Sequence, residues 1–319
     1  MAKAVSPCDI LRSLSLIATA IFTGLTSTAS AQTILFTENF DDTSFAARGW
    51  YDIARTGGTI DAANHSPGSS ASLDLHFDLG GTTPTAGYPG RVLFTASPTV
   101  YMSFWMKLGS AAVTWQGSGK PYHPHLFRLF SDADDPFVGP NTCHLSVLVE
   151  VSLFTPRIAA LDSLDININF LGMDLLTSAT PHALMGGNGN QNATATYYAD
   201  PTPPNYANGT FWDAASPAYV NNQWHHVEFF VAMNSTSGGI ANPDGVFKHW
   251  IDGNLVVNYT NVYLRTGGNP NRKFNQLALL PYMGDGSPIA QDLWIDNLIV
   301  ADQRISSAPP APKNLRVIQ

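Results

Sequence analysis

Apolar and polar residues along most of the chain form short runs in which the two kinds alternate. Runs of five to eleven residues rich in Val, Ile, Phe, Tyr and Trp recur between clusters of Gly, Pro, Asn and Asp, which is the pattern of strands separated by turns. Helical periodicity is nearly absent after residue 31. The predicted strands are 33–40, 72–78, 91–95, 100–108, 125–130, 144–154, 226–233, 246–251, 254–259, 274–282 and 293–300. So many short strands predict an all-β sandwich or barrel.

Two local patterns add detail. Asp252-Gly253 separates two predicted strands, and both residues tolerate the positive φ of a two-residue hairpin turn. In the run 144–154, alternation places His144 and Glu150 on one face, opposite the apolar residues of the same run. A polar face on a strand this long predicts one wall of a groove.

The first residues indicate export. Lys3 and Arg12 precede an apolar run, 14–25, and Ala29-Ser30-Ala31 follows it, which is the layout of a secretory signal peptide. The run is shorter than the ~20 residues that span a bilayer, and no second long apolar stretch follows. We predict a signal peptide at 1–31, cleavage near Ala31, and a secreted, extracellular or periplasmic product without a membrane span. The alternative is an uncleaved helix that anchors the protein.

Charge and composition narrow the range of partners. The chain has 16 Lys and Arg against 24 Asp and Glu, for a formal net charge of −8. Removing 1–31 takes away Lys3, Arg12 and Asp9, which makes the net charge −9. Binding to a phosphate backbone needs clustered Lys and Arg, and here these residues are scattered. Nucleic acid is therefore not expected as a partner.

The sequence after the signal peptide indicates one domain, 32–303, followed by a Pro-rich tail, 304–319. All-β domains of this size are common as single units. The segment 186–222 is rich in Gly, Asn and Pro and too polar to pack a core. Long loops of this kind are usually functional or disordered, so we expect 186–222 to border a site.

Three segments of the second half carry the most specific pattern. They are Trp224-His225-His226-Val227-Glu228, the stretch 244–253, and Trp294-Ile295-Asp296-Asn297-Leu298-Ile299-Val300. This pattern resembles the C-terminal half of concanavalin-A-like jelly rolls in polysaccharide lyases and related secreted glycan-binding modules. His123-Pro124-His125 and Val138-Gly139-Pro140 resemble uncharacterised bacterial exported proteins of this type. The resemblance implies a jelly-roll β-sandwich of two antiparallel sheets and a polysaccharide or other glycan as partner, but such folds host lectins, hydrolases and lyases alike.

The acidic residues disfavour glycoside hydrolysis. Glycosidases hold two carboxyl groups across the sugar bond, and the chain after residue 31 has three glutamates, Glu38, Glu150 and Glu228. The Glu-x-Asp-x-x-Glu strand of jelly-roll glucanases is absent from the sequence. A pair of aspartates stays open as an alternative.

Lyase chemistry needs a base, an acid and a group that neutralises the carboxylate of a uronate. His, Tyr, Arg and Gln fill these roles, and the candidates lie on predicted strands or next to them: His123, His125, Arg265, Gln276 and Tyr282. Gln276 and Tyr282 share one face of the strand 274–282. The alternatives are that the histidines are held by backbone hydrogen bonds or form a zinc pair, and that the other three are structural.

Further residues suit glycan contact. Aromatic rings in polar loops can stack on a sugar ring, and polar residues on a strand face can line a groove. The predicted substrate-binding residues are Tyr122, His144, Glu150, Trp115 and Trp212. The alternative for the aromatic residues is that they pack beneath the long loop as a satellite core.

A structural Ca²⁺ ion is a further expectation. In concanavalin-A-like sandwiches the first and last strands commonly lie close together, so the resemblance brings Glu38 or Asp41 towards Asp296. Gathered carboxylates repel one another unless a cation intervenes, and Ca²⁺ accepts six to eight oxygens. The alternative is that Asp296 bonds to backbone N–H groups and that Asp41 is solvated.

Two hypotheses of function follow. The first is a secreted jelly-roll lyase that acts by β-elimination on a uronate-containing glycan. The second is a non-catalytic glycan-binding or adhesion module. Convergence of the candidate residues in one groove favours the lyase, and dispersal with a row of exposed aromatic residues favours the binder.

Overall fold

The computed structural model describes residues 32–109, 125–131, 145–152, 155–162, 212–238, 240–262, 264–265, 270–284 and 286–305. The strands in these ranges are β1 (Ile34–Glu38), β2 (Ala54–Arg55), β3 (Thr59–Asp61), β4 (Ser72–Phe77), β5 (Gly87–Tyr88), β6 (Gly90–Ser97), β7 (Thr99–Leu108), β8 (His125–Ser131), β9 (Leu145–Ser152), β10 (Thr155–Asp162), β11 (Trp212–Asp213), β12 (Trp224–Ala232), β13 (Thr236–Ser237), β14 (Ile240–Ala241), β15 (Gly245–Ile251), β16 (Asn254–Val262), β17 (Phe274–Tyr282) and β18 (Gln291–Ala301). One 3₁₀ turn, Phe45–Arg48, follows β1.

The strands form two large antiparallel sheets. The eight-stranded sheet has the order β16-β15-β12-β7-β18-β4-β3, and β1 also pairs with β18. The six-stranded sheet has the order β11-β10-β9-β8-β17-β6. The all-β class with antiparallel sheets, predicted from the sequence, is confirmed.

A single large core lies between the two sheets. On β7, Met102 and Phe104 are buried in this core, whereas Tyr101 and Ser103 alternate with them on the outer face. The rings of Phe104 and Phe127 lie 4.7 Å apart and join the two sheets. Burying each such side chain contributes about 1.5–3 kcal/mol, so the alternation of period two on each strand holds the sandwich together.

The strand predictions are confirmed for all eleven segments, with shifts of one to three residues at most ends. The hairpin prediction is confirmed as well, because β15 and β16 pair through Asp252 (φ 51°) and Gly253 (φ 79°). The strand β10 was missed. Its sequence contains Pro156 and the pair Ala159-Ala160, which lack the β-branched and aromatic signal of a strand.

One histidine is part of the core. His249 on β15 is fully buried, and its ring lies 6.3 Å from that of Phe229. Neither ring nitrogen has a hydrogen-bond partner within the described part of the chain. Burial lowers the pKa of His249 from 6.5 to about 3, because the charged ring would be held in an apolar environment.

A buried carboxylate lies on the outer face of the eight-stranded sheet. Glu228 on β12 is fully buried and accepts a hydrogen bond of 2.9 Å from the hydroxyl of Tyr101. Arg304 donates to both of its oxygens, at 2.9 and 3.0 Å. The guanidinium also lies 4.3 Å from the ring centre of Trp250. Because a buried carboxylate needs such partners, the chain beyond β18 is held on this face.

Residues 1–31 and 306–319 lie outside the described residues, so the signal peptide and the Pro-rich tail stay predictions. In the part of the chain that is described, no helix has the length and hydrophobicity to cross a membrane.

Candidate active site

One row of backbone partners crosses five of the six strands of the smaller sheet. Tyr282 of β17 pairs with His125 of β8, and His125 pairs with Glu150 of β9. Glu150 pairs with Arg157 of β10, which pairs with Asp213 of β11. Every position in this polar row carries a titratable side chain. Directly paired positions on antiparallel strands are close neighbours, so the backbone register brings these five positions into one line across the sheet.

The two described side chains of the polar row lie at irregularities of the sheet. The register of β8 shifts between His125 and Phe127 against β9, and that of β17 shifts between Leu279 and Tyr282 against β8. Such bulges re-aim side chains and are frequent next to active sites. The rings of His125 and Tyr282 lie 6.2 Å apart. His125 is buried, whereas Tyr282 is 41% exposed, so the tyrosine faces the solvent beside the histidine.

Two arginines lie on the same face of the six-stranded sheet, next to the polar row. Ala278 of β17 pairs with Arg128 of β8 on one side and with Arg91 of β6 on the other. The guanidinium of Arg91 lies 5.8 Å from the ring centre of Phe130 and 3.5 Å from a carboxylate oxygen of Asp52. Cross-strand partners share a face, so both arginines lie on the face that carries the polar row, Arg91 buried and paired with Asp52 and Arg128 half-buried.

Sequence reasoning missed both arginines because they are 37 positions apart in the chain. Each alternates with core residues within a predicted strand, since Val92 and Phe127 are buried in the core. This alternation could have identified the two arginines as outward-facing residues. The negative net charge of the chain gave no indication of a positively charged face.

Gln276 shares this sheet but not the site. Its side chain is fully buried and donates to the hydroxyl of Tyr51. It precedes Tyr282 by six positions on β17, which corresponds to roughly 20 Å of extended strand. Gln276 therefore does not reach a sugar unit that contacts Tyr282.

Arg265 lies still farther from the polar row. Its Nε donates to the backbone carbonyl of Asn234 at 2.5 Å, and its backbone N–H donates to the Asn234 side chain at 2.8 Å. It contacts the segment that precedes β17 through the carbonyl of Arg272, whereas Tyr282 is at the other end of that strand, roughly 25 Å away. The interpretation of Arg265 as a carboxylate ligand in the same site is thus corrected to a structural role.

Trp212 is a core residue. It is buried, and its ring lies 4.8 Å from that of Phe247 at 70°. The pairing of β11 with β10 holds it there, so the expectation that it stacks on a sugar is corrected. The other predicted residues Trp115, Tyr122, His123 and His144 lie outside the described residues.

The first and last strands pair, as expected for the predicted Ca²⁺ site, with Glu38 opposite Leu298. Glu38 accepts from Arg48 at 2.7 Å and from the indole of Trp50 at 2.9 Å. Asp296 accepts from the backbone N–H of Ser66 at 2.9 Å.

Asp41 accepts from the hydroxyl of Ser70 at 2.6 Å. Within the described ranges, no three His, Cys, Asp or Glu side chains gather as metal ligands do. Each of the carboxylates of Glu38, Asp41 and Asp296 accepts at least one hydrogen bond from the protein, which favours the alternative of hydrogen-bonded carboxylates over a shared Ca²⁺ site. The ion stays a prediction that treatment with EDTA can test.

Comparison with known proteins supports the fold. No family model and no curated protein matches the sequence. Among solved structures, alginate lyase vAL-1 from a Chlorella virus aligns with a TM-score of 0.52 at 10% identity, over 85% of this chain and all of that one. The marine PL-14 alginate lyase from Aplysia kurodai aligns with a TM-score of 0.51 at 11% identity, over 84% of this chain and 98% of that one. The chain therefore has the jelly-roll fold that these lyases share.

Proposed function

We propose that this protein is a secreted polysaccharide lyase that cleaves a uronate-containing glycan by β-elimination. The observation that carries the proposal is the polar row, which places His125 beside Tyr282 on the outer face of the six-stranded sheet. On the same face, Arg128 and Arg91 are the strand partners of Ala278, four positions before Tyr282 on β17.

The chemistry needs three groups. A base removes the proton on the carbon next to the uronate carboxylate, and the bond between the neighbouring carbon and the glycosidic oxygen breaks. A double bond forms between the two carbons, and an acid returns a proton to the leaving oxygen. His125 and Tyr282 form the acid–base pair in this proposal. Arg128 neutralises the carboxylate, which stabilises the negative charge that develops beside it.

The substrate class rests on charge and on fold analogy. Arg128 and Arg91 lie on either side of Ala278, and guanidinium groups bind carboxylates with two parallel hydrogen bonds. Arg91 is buried and paired with Asp52, so the half-buried Arg128 is the group that we assign to the uronate carboxylate. The two structures with the same fold are named as alginate lyases, which by analogy makes alginate the first polymer to test.

A second candidate function is a glycan-binding or adhesion module without catalysis. The observation that favours it is the dispersal of the predicted set, because Gln276 and Arg265 lie far from Tyr282. Exposed apolar residues on the six-stranded sheet, such as Leu93 at 48% exposure, suit contact with a sugar ring.

The two functions are separated by incubating the purified protein with alginate, glucuronan, pectate and hyaluronan. We expect at least one polymer to give the ultraviolet absorbance of an unsaturated uronate, together with shorter chains on gel filtration. Binding to a polymer without new absorbance supports the module instead. If none of the four polymers is cleaved or bound, both proposals fail.

Export is part of the proposal, since a lyase must meet its polymer outside the cell. We expect mass spectrometry of N-terminal peptides from protein collected from the medium or periplasm to find a chain that begins at Gln32. The physical reason is that the small residues Ala29 and Ala31 match the requirement of the signal peptidase. Secreted material that begins at Met1 would contradict this prediction.

A further inference from the structure

A cavity of about 550 Å³ lies on the opposite side of the sandwich, on the outer face of the eight-stranded sheet. Its volume is within the range of small-molecule sites. The end of β1, the 3₁₀ turn and the loop before β4 form its walls, and β7, β12 and β18 form its floor. The cavity is independent of the polar row, since no residue of that row lines it.

The floor of the cavity presents a histidine whose hydrogen-bonding capacity is unused. His226 of β12 pairs with Trp105 of β7, and the two rings lie 5.2 Å apart. Within the described residues no hydrogen bond reaches either ring nitrogen, and the closest carboxylate oxygen, from Glu228, is 3.9 Å away. A ligand in the cavity therefore finds a donor and an acceptor on the imidazole, with the indole next to it.

The cavity carries little net charge. Glu38 is paired with Arg48 at 2.7 Å, and a second nitrogen of Arg48 is bound by Asp42 at 2.6 Å. The guanidinium of Arg48 also donates to the backbone carbonyl of Asp42. Burial lowers the pKa of His226 below its ordinary value, so the imidazole is neutral at pH 7. An anionic sugar would find no unpaired cation on the described walls.

The backbone around the cavity is strained. Asn297 lines the cavity with a φ of 49°, and Phe40, next to the lining residue Asn39, has a φ of 57°. The register of β18 against β7 also shifts between Asp296 and Ile299. Asparagine adopts the left-handed conformation readily, whereas a left-handed phenylalanine costs about 1–3 kcal/mol and such residues cluster at functional sites. The strained Phe40 beside the lining residue Asn39 indicates that the shape of the cavity is specified.

The geometry points to a second glycan site, and we propose that this cavity binds a neutral pyranose unit. At the rim, the hydroxyl of Thr37 and the side-chain carbonyl of Asn297 bind sugar hydroxyls. The amide nitrogens of Asn39 and Asn297 donate to Asp41 and Ser66 instead. The edge of Trp105 and the side chain of Ile299 contact the apolar face of the sugar ring. Because the cavity is neutral, it selects a different sugar from the arginine-flanked face on the other side.

The test is binding of neutral disaccharides to the full protein. We expect saturation-transfer NMR and calorimetry to detect at least one of cellobiose, mannobiose, maltose and xylobiose, and the ring ¹⁵N signals of His226 to shift with it. The exposed rim residue Thr37 offers a blocking variant, Thr37→Trp, which should weaken that binding at least tenfold. The matched control Ile34→Trp, on the same strand but outside the cavity lining, should not.

The outcomes are separate from those of the lyase assay. Thr37→Trp should leave uronate cleavage unchanged, and Tyr282→Phe should leave disaccharide binding unchanged. The inference is overturned if none of the four disaccharides binds, if binding survives Thr37→Trp, or if uronate oligosaccharides displace the neutral sugar. His226→Gln keeps a donor and an acceptor, so it should retain more affinity than His226→Ala, and the reverse order also counts against the site.

Discussion

Replacing Tyr282 with Phe should lower the rate of glycan cleavage by about 10²- to 10⁴-fold, which is the usual contribution of a positioned acid or base. The side chain is 41% exposed, and no hydrogen bond to its hydroxyl is found within the described residues. Removing one hydroxyl from such a position should change the free energy of unfolding by less than about 0.5 kcal/mol. Initial rates on alginate, or on the polymer that the panel identifies, together with the thermal midpoint, measure the two effects.

A matched control is Tyr259→Phe, which makes the same change at a tyrosine of 37% exposure on β16. It should leave both the rate and the midpoint unchanged. His125 is buried, so His125→Gln is preferable to alanine, and we expect a loss of rate comparable to that of Tyr282→Phe. Full activity in Tyr282→Phe would show that the tyrosine is not the acid or base.

His249→Leu should make the protein more resistant to acid. The pKa of His249 is about 3 in the folded protein against an ordinary 6.5. Between these values the unfolded chain binds a proton that the folded protein does not, so stability falls as the pH falls. The slope is about 1.4 kcal/mol per pH unit, which amounts to about 3 kcal/mol between pH 6.5 and pH 4. Leucine removes this pH-dependent loss of stability, and it also removes a buried polar ring that has no hydrogen-bond partner among the described residues.

The measurement is urea unfolding of both proteins from pH 4 to pH 7.5. We expect the difference between variant and wild type to grow as the pH falls. His76 supplies a control of opposite sign, because its hydrogen bond to Asp292 raises its pKa. A raised pKa stabilises the folded protein below pH 6.5 and the effect is lost as the pH rises. His76→Gln should therefore lose stability in acid, and a pH-independent difference for His249→Leu would refute the assignment.

The fold could be predicted because its determinants are local. Alternation along each strand distinguishes core from surface, and turn residues such as Asp252-Gly253 mark the ends. The strand β10 was not predicted because Pro156 and two alanines carry no strand signal. Alternation identifies which residues share a face of a strand, but it does not show how far apart along the strand they lie. Gln276 and Tyr282 were therefore placed together, although the length of β17 separates them.

The candidate site depends on pairings between distant segments. His125 meets Tyr282, 157 positions later in the chain, only through the register of β8 against β17. The register also brings Arg91 and Arg128 to the two sides of one alanine. No property of the separate segments specifies this neighbourhood, since register is decided by the packing of the whole core. For the same reason Trp212, which has a loop-like sequence context, is a core residue.

The contact of Arg304 with Glu228 and Trp250 has a practical consequence for immobilising the protein. The chain leaves the sandwich on the face opposite the polar row. A biotin tag or bead coupled after Ile305 would therefore hold the molecule with the six-stranded sheet turned towards the solution. Long polymers could then reach this sheet without hindrance from the support, whereas random coupling through lysines would leave part of the population facing the surface.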